Sequence, residues 1–198
     1  MRSARPLTGL WIFTLILSAC GDLPPASPPT PDVAPVATVR GVDPGFTTSA
    51  SNGIVTFTDS VSGISLDYPE GWIMDQVRGG TRSPSVFVFT NYDHIPSVMD
   101  AIPADTTAVY LTVLKPNPDA TLPGLVDSYK QQWLTEGSTI LTEEDVILAS
   151  GQPGKAFLLD SYLGRQIYYL ITAVGETPVV VEGNGDLAPV AAVALSVR

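Results

Sequence analysis

Residues 57–72 read Phe57-Thr58-Asp59-Ser60-Val61-Ser62-Gly63-Ile64-Ser65-Leu66-Asp67-Tyr68-Pro69-Glu70-Gly71-Trp72. Ile64, Leu66 and Tyr68 alternate with Ser65 and Asp67, the period of a half-buried strand. Pro69 fixes φ at a turn and pushes Tyr68 into extended geometry. Gly71 lets the chain bend, and Trp72 can fold back as a large core plug. Just upstream, Ile54–Thr58 forms a short strand.

Downstream, Val86-Phe87-Val88-Phe89 is apolar on both faces and reads as a central strand. Residues 108–114 are similar and end at Pro116. The period then changes: Leu122, Leu125, Val126, Tyr129 and Trp133 make one helical stripe. Thr121 can cap its start and Gly137 can end it. Period two returns, predicting strands near 139–149, 155–162, 165–173 and 178–182. Leu163-Gly164 turns one hairpin and Gly175-Glu176 the next. Asp186 can cap a last helix with Leu187, Val190, Ala191 and Ala194 facing inward. Short turns between successive strands predict an antiparallel sheet, and the two apolar stripes predict helices covering it. The class is therefore α+β, with neither a βαβ alternation nor a fixed-period repeat.

This order of elements, with the Tyr68-Pro69-Glu70-Gly71-Trp72 turn, resembles the PsbP-like, or Mog1/PsbP, superfamily over residues 54–198. The resemblance implies an antiparallel β-sheet flanked by helices, an α/β/α sandwich. It also implies an accessory, assembly or binding protein without a shared active site. Photosystem members of that superfamily assist a metal-containing oxygen-evolving complex. This chain opens differently, which argues against a photosystem role, and a fold does not carry a function with it.

Residues 1–19 read as a signal peptide. Arg2 and Arg5 precede the apolar run Leu10–Leu17, which is too short to span a bilayer. Leu17-Ser18-Ala19-Cys20 is similar to the bacterial lipobox, which implies cleavage before Cys20 and palmitate-type lipidation of its thiol. The alternative is an ordinary secretory signal with an incidental thiol. Several acyl chains anchor stably, since each buried CH₂ contributes about 0.8 kcal/mol. Residues 20–50 hold Pro24, Pro25, Pro28, Pro29, Pro31, Pro35 and Pro44 and read as an extended spacer. A ligand for a proline-recognition domain is the other use of such a segment.

The whole chain has 198 residues, formal charge −10, one Cys, one His and a mean hydropathy of +0.22. Loss of residues 1–19 removes two arginines and no acid, so a chain starting at Cys20 carries −12. That charge argues against nucleic acid, which needs a basic face, and is repelled by anionic lipid. The expected membrane link is the anchor. One Cys and one His exclude an internal disulfide framework and a three-His metal site.

Few residues suggest chemistry. Asp93 and His94, with Asp100 or Asp105, are weak metal candidates, and a surface-loop histidine is the plainer reading. Glu143-Glu144-Asp145 lacks the spacing of a calcium loop. On a strand Glu144 points away from its two neighbours. Tyr168 and Tyr169 must likewise face opposite sides. No Gly-x-Ser-x-Gly elbow, phosphate loop or dinucleotide fingerprint occurs. No catalytic residue, cofactor or binding residue is therefore assigned. The expectation is a non-enzymatic extracytoplasmic lipoprotein, anchored at Cys20, that binds or assembles with an envelope partner. Two alternatives stay open: a cell-envelope hydrolase using carboxylates, and a metal-binding accessory protein using Asp93 and His94.

Overall fold

The computed structural model describes residues 39–40, 45–78, 84–93, 103, 106–118 and 121–198. Cys20, His94, Asp100 and Asp105 lie outside these residues, as does most of the Pro-rich segment. In chain order the strands are β1 (Val39–Arg40), β2 (Phe46–Ser51), β3 (Ile54–Asp59), β4 (Ser65–Pro69), β5 (Ile73–Arg78), β6 (Ser85–Thr90) and β7 (Ala108–Val113). Helix α1 (Leu122–Thr135) follows, then β8 (Thr139–Ile147), β9 (Pro153–Asp160), β10 (Gln166–Val174), β11 (Thr177–Asn184) and α2 (Leu187–Leu195).

The α+β class holds, but the strands form two sheets. The larger has eight strands in the order β1-β5-β6-β7-β11-β10-β9-β8, and the smaller is β2-β3-β4. All pairings are antiparallel except β1 with β5. The strand β2 corrects the expected spacer, which ran through residue 50. Asn52 (φ 55°) and Gly53 (φ 79°) make the two-residue turn that folds Phe46–Ser51 back onto β3. Both central residues of such a turn need positive φ, which Asn-Gly supplies at least cost.

The small sheet and α2 cover one face of the large sheet. Phe57, Leu66 and Tyr68 pack there with Phe87, Phe89, Leu111 and Val181, and with Val190, Val193 and Ala194 of α2. Trp72 does fold back into this core and is 8% exposed. Each fully buried side chain of this kind contributes roughly 1.5–3 kcal/mol of transfer free energy, against a comparable ordering cost. On α2, Val193 is buried in place of the expected Ala191, which is half-buried.

Helix α1 covers the other face. Val126 and Trp133 are buried against Phe157, Leu159, Ile171 and Val180. Thr121 caps it through Oγ1, which accepts from the Gly124 N–H at 3.2 Å. Its end is closed by Ser138 N–H to Trp133 O (2.9 Å) and Gly137 N–H to Leu134 O (3.2 Å), with Gly137 at φ 87°. That is a left-handed glycine cap of the Schellman type. Among the described residues no helix is long and apolar enough to cross a membrane.

Candidate binding cavity at the ends of β10 and β11

The residues singled out from sequence do not meet in one site. Asp93 is exposed just after β6, and His94 lies outside the described residues. Among the described residues no group of three His, Cys, Asp or Glu side chains could hold a metal ion. On β8, Glu143 and Asp145 do share a side, and both meet lysines. Lys155 Nζ lies 3.5 Å from Glu143 and 2.9 Å from Asp145, and Lys130 Nζ lies 2.6 Å from Glu143. Lys130 holds the Glu143 carboxyl below the usual range, and Asp145 raises Lys155. This run is an ion-pair network on the sheet edge. Tyr168 and Tyr169 face opposite sides, as the strand period requires: Tyr168 toward the small-sheet core, Tyr169 toward α1.

The register places a carboxylate where the sequence reading saw none. On the α1 face, Phe157, Tyr169, Glu182, Tyr110 and Val88 lie side by side across β9, β10, β11, β7 and β6. Burial pushes the Glu182 carboxyl up, against a hydrogen bond from Tyr169 and the charge of Arg165. Burial, then Glu182 itself, raises the Tyr169, Tyr110 and Tyr129 hydroxyls. The available signal was an acid inside Val179-Val180-Val181-Glu182-Gly183-Asn184, on the face shared by Val180 and Asn184.

Beyond the ends of β10 and β11 lies a cavity of about 290 Å³, lined among others by Thr106, Arg165, Gln166, Asn184 and Leu187. The chain around it is firmly tied. The Asp186 N–H donates to Thr107 Oγ1 (3.2 Å), the Thr107 N–H to Asn91 Oδ1 (2.8 Å), and Thr90 Oγ1 to Thr107 O (2.8 Å). Gly185 has φ 96°, and a Cβ there would fall 2.0 Å from Thr106 O, so only glycine lets the chain pass. Asp186 caps α2 through the Ala188 N–H at 3.1 Å.

Arg165 and Asn184 line this cavity, but Arg165 Nε and Asn184 Oδ1 are enclosed atoms without a hydrogen-bond partner and expose essentially no surface to it. Asn184 is 5% exposed. In the other two grooves several polar groups are already paired. Beside α1, Thr121 Oγ1 caps the helix and Thr172 Oγ1 donates to Pro153 O. In the groove against β8 and β9, Glu143, Asp145 and Lys155 pair with one another.

No family model matches the chain, and no curated protein matches it by sequence. The fold is similar to that in the solution structure of cyanobacterial PsbP (CyanoP) from Synechocystis sp. PCC 6803. The likeness covers 75% of this chain and 94% of that one, with a TM-score of 0.53 and 15% sequence identity. It shows a shared fold, the α/β/α arrangement expected from the Tyr68–Trp72 turn.

Proposed function

We propose that this chain is a non-catalytic binding or assembly module, tethered by lipid on Cys20 to the extracytoplasmic face of a bacterial membrane. The observation that carries this reading is the pairing of a PsbP-type fold with the Leu17-Ser18-Ala19-Cys20 start. The prolines before β2 supply reach, at about 3.1 Å per residue for an extended chain. The domain then meets an envelope protein while the anchor overcomes repulsion between an acidic chain and anionic lipid.

The test uses the full-length chain expressed in a bacterium fed labelled palmitate, followed by capture of partners from its membranes after crosslinking. Label on the native chain and none on Cys20→Ala is the expected result, with a stoichiometric partner recovered from the native chain. An unlabelled native chain sinks the anchor. A labelled chain that captures nothing sinks the assembly role.

One observation favours a carboxylate hydrolase instead: the raised Glu182 carboxyl, with Glu136 as a second acid acting on it. Perturbed acids often mark active sites. Glu182 lines none of the three grooves described above, however, and its hydrogen bond is to Tyr169. A structural role beneath α1 accounts for it.

A further inference from the structure

We infer that the end of the large sheet carrying Leu134, Tyr162 and Leu163 rests on the lipid surface beside the anchor, with these three side chains seated in the headgroup layer. Leu134 is 60% exposed, Tyr162 62% and Leu163 55%. Single exposed apolar residues are ordinary on a protein surface, and Val61, Val77 and Ile147 are such cases. Leu134, Tyr162 and Leu163 differ because the fold gathers them. Tyr162 and Leu163 lie in the turn between β9 and β10. Leu134 lies in the last turn of α1, where the Gly137 N–H donates to its carbonyl at 3.2 Å. A Cβ on Gly137 would fall 3.9 Å from Tyr162 Cβ, so the helix end and the hairpin tip are neighbours.

The tip suits a poorly hydrated layer. Its backbone is tied internally: Ser161 N–H donates to Arg165 O at 2.9 Å, and Gly164 N–H to Ser161 O at 2.8 Å. Unpaired backbone groups are what keep most turns out of lipid. Tyrosine adds an apolar ring with a polar end, the combination enriched at membrane–water interfaces. Exposed Glu136 and Asp160 flank the tip in sequence, which holds it at headgroup depth and favours a zwitterionic surface over an anionic one.

The tether selects lipid as the occupant. β1 runs parallel to β5, with Val39 beside Met74. One row further out, Ile73, Thr90, Ala108, Asn184 and Ile167 lie side by side, at the sheet end where β9 turns into β10. The chain therefore enters β1 from the end that presents Tyr162 and Leu163. Eighteen residues separate Cys20 from Val39, a reach of about 60 Å when fully extended at about 3.1 Å per residue. An anchored Cys20, the premise taken from the proposed function, keeps this end nearest the bilayer. The opposite end lies about 30 Å away along nine-residue β10, and it faces the bilayer only if about half of the spacer doubles back along the domain.

The experiment couples the full chain through Cys20, its single cysteine, to a maleimide lipid in phosphatidylcholine nanodiscs, and reads amide broadening by headgroup spin-labelled lipid in NMR spectra. The amides of Leu134, Leu163 and Gly164 should broaden at least three-fold more than those of Gly175 and Glu176, in the turn at the opposite end of the sheet. Changing Tyr162→Ser and Leu163→Ser together should at least halve that difference and leave the core spectrum in place, since both side chains are exposed. Sharp tip amides overturn the inference. Equal broadening at the two ends also overturns it, and means that the domain turns freely on its spacer. Unchanged broadening in the double variant overturns the role of Tyr162 and Leu163. A protein partner crosslinked at the tip in the membrane capture would make this surface a protein contact and overturn the lipid assignment. The maleimide link supplies an anchor chemically, so a negative result counts against the tip alone, and lipidation of Cys20 is decided by the palmitate experiment.

Discussion

Arg198 grips Asp67 edge-on: Nη1 lies 2.9 Å from Oδ2, and Nη2 lies 2.9 Å from Oδ1. The backbone reinforces the pair. Ser65 N–H donates to Arg198 O at 2.8 Å and Arg198 N–H to Ser65 O at 3.0 Å, so the chain after α2 continues the small sheet beyond β4. Ser196 Oγ also accepts from the Asp67 N–H at 2.8 Å. These contacts cover the free edge of β4 and hold α2 against the core, which is how an open sheet edge is protected from pairing elsewhere.

Removing the guanidinium should therefore loosen α2 in a pH-dependent way. Both side chains are more than a third exposed (39% and 34%), so screening limits the pair to about 0.5–1 kcal/mol. Arg198→Ala should lower Tm by about 1–4 °C at pH 7. Arg198 holds the Asp67 carboxyl below its ordinary 3.8. A depressed carboxyl adds stability above its unfolded value and loses it as pH falls through the folded one. The difference between native and variant should shrink as pH falls below the ordinary 3.8 and vanish once the folded carboxyl is protonated. Melts showing the same gap at pH 7 and at low pH would instead assign the effect to backbone pairing with Ser65.

Glu182 behaves in the opposite sense. Burial raises its carboxyl, so the folded chain holds a proton that the unfolded chain releases. Stability then falls as pH rises from the unfolded value, near 4.5, through the folded one. Glu182→Gln keeps an acceptor for Tyr169 and removes the charge. The variant should melt higher than the native chain at pH 8, with the gap closing by pH 4. A variant less stable at pH 8 would show that Arg165 and Tyr169 hold the ionised form more tightly than burial opposes it.

Under α1, Trp133 is the aromatic anchor. It is 3% exposed, with ring centroids 4.6 Å from Tyr169, 5.1 Å from Phe157 and 5.8 Å from Tyr129. Truncating such a residue removes its burial and leaves a cavity, costing about 3–5 kcal/mol. Trp133→Ala should show this in urea unfolding, and Trp133→Phe should recover more than half of it by restoring contacts with Phe157 and Tyr169. Equal losses in the two variants would mean that the indole N–H, rather than packing, holds the helix.

What was legible in the sequence follows from which signals are local. Thr121, Gly137 and Asp186 act within one turn of chain, and each caps or ends its helix as its residue type predicts. The alternation in β4 and the apolar run of β6 are local too. The strand β2 was hidden because Phe46-Thr47-Thr48-Ser49-Ala50-Ser51 buries little and follows a proline run, although Asn52-Gly53 marked its hairpin. The strand β5 was missed because Asp75 and Gln76 break up its apolar pattern. The site was illegible for a different reason. Arg165 and Asn184 lie 19 positions apart in sequence and line one cavity because β10 and β11 pair in register along their whole length. Glu182 gains its tyrosines from the strands on either side. No motif records such cross-strand neighbours.

The seat of α2 on the large sheet depends on the absence of one methyl group. A Cβ on Gly183 would lie 2.2 Å from Val190 Cγ1 and 3.0 Å from Cγ2. Val190 is fully buried, and its branched side chain has one strongly preferred rotamer in a helix, so it has little room to yield. Gly183→Ala should cost about 1–3 kcal/mol by overpacking. Val190→Ala alone should also destabilise, by leaving a void. Together the two changes exchange volume across one contact, so the double variant should be at least 1 kcal/mol more stable than the sum of the single losses implies. Chemical denaturation of the four proteins measures this coupling. Simple additivity would mean that α2 shifts as a body to admit the methyl. In that case the amides of Gly185 and Leu187, where α2 begins, should shift in the Gly183→Ala spectrum while those of β3 stay in place.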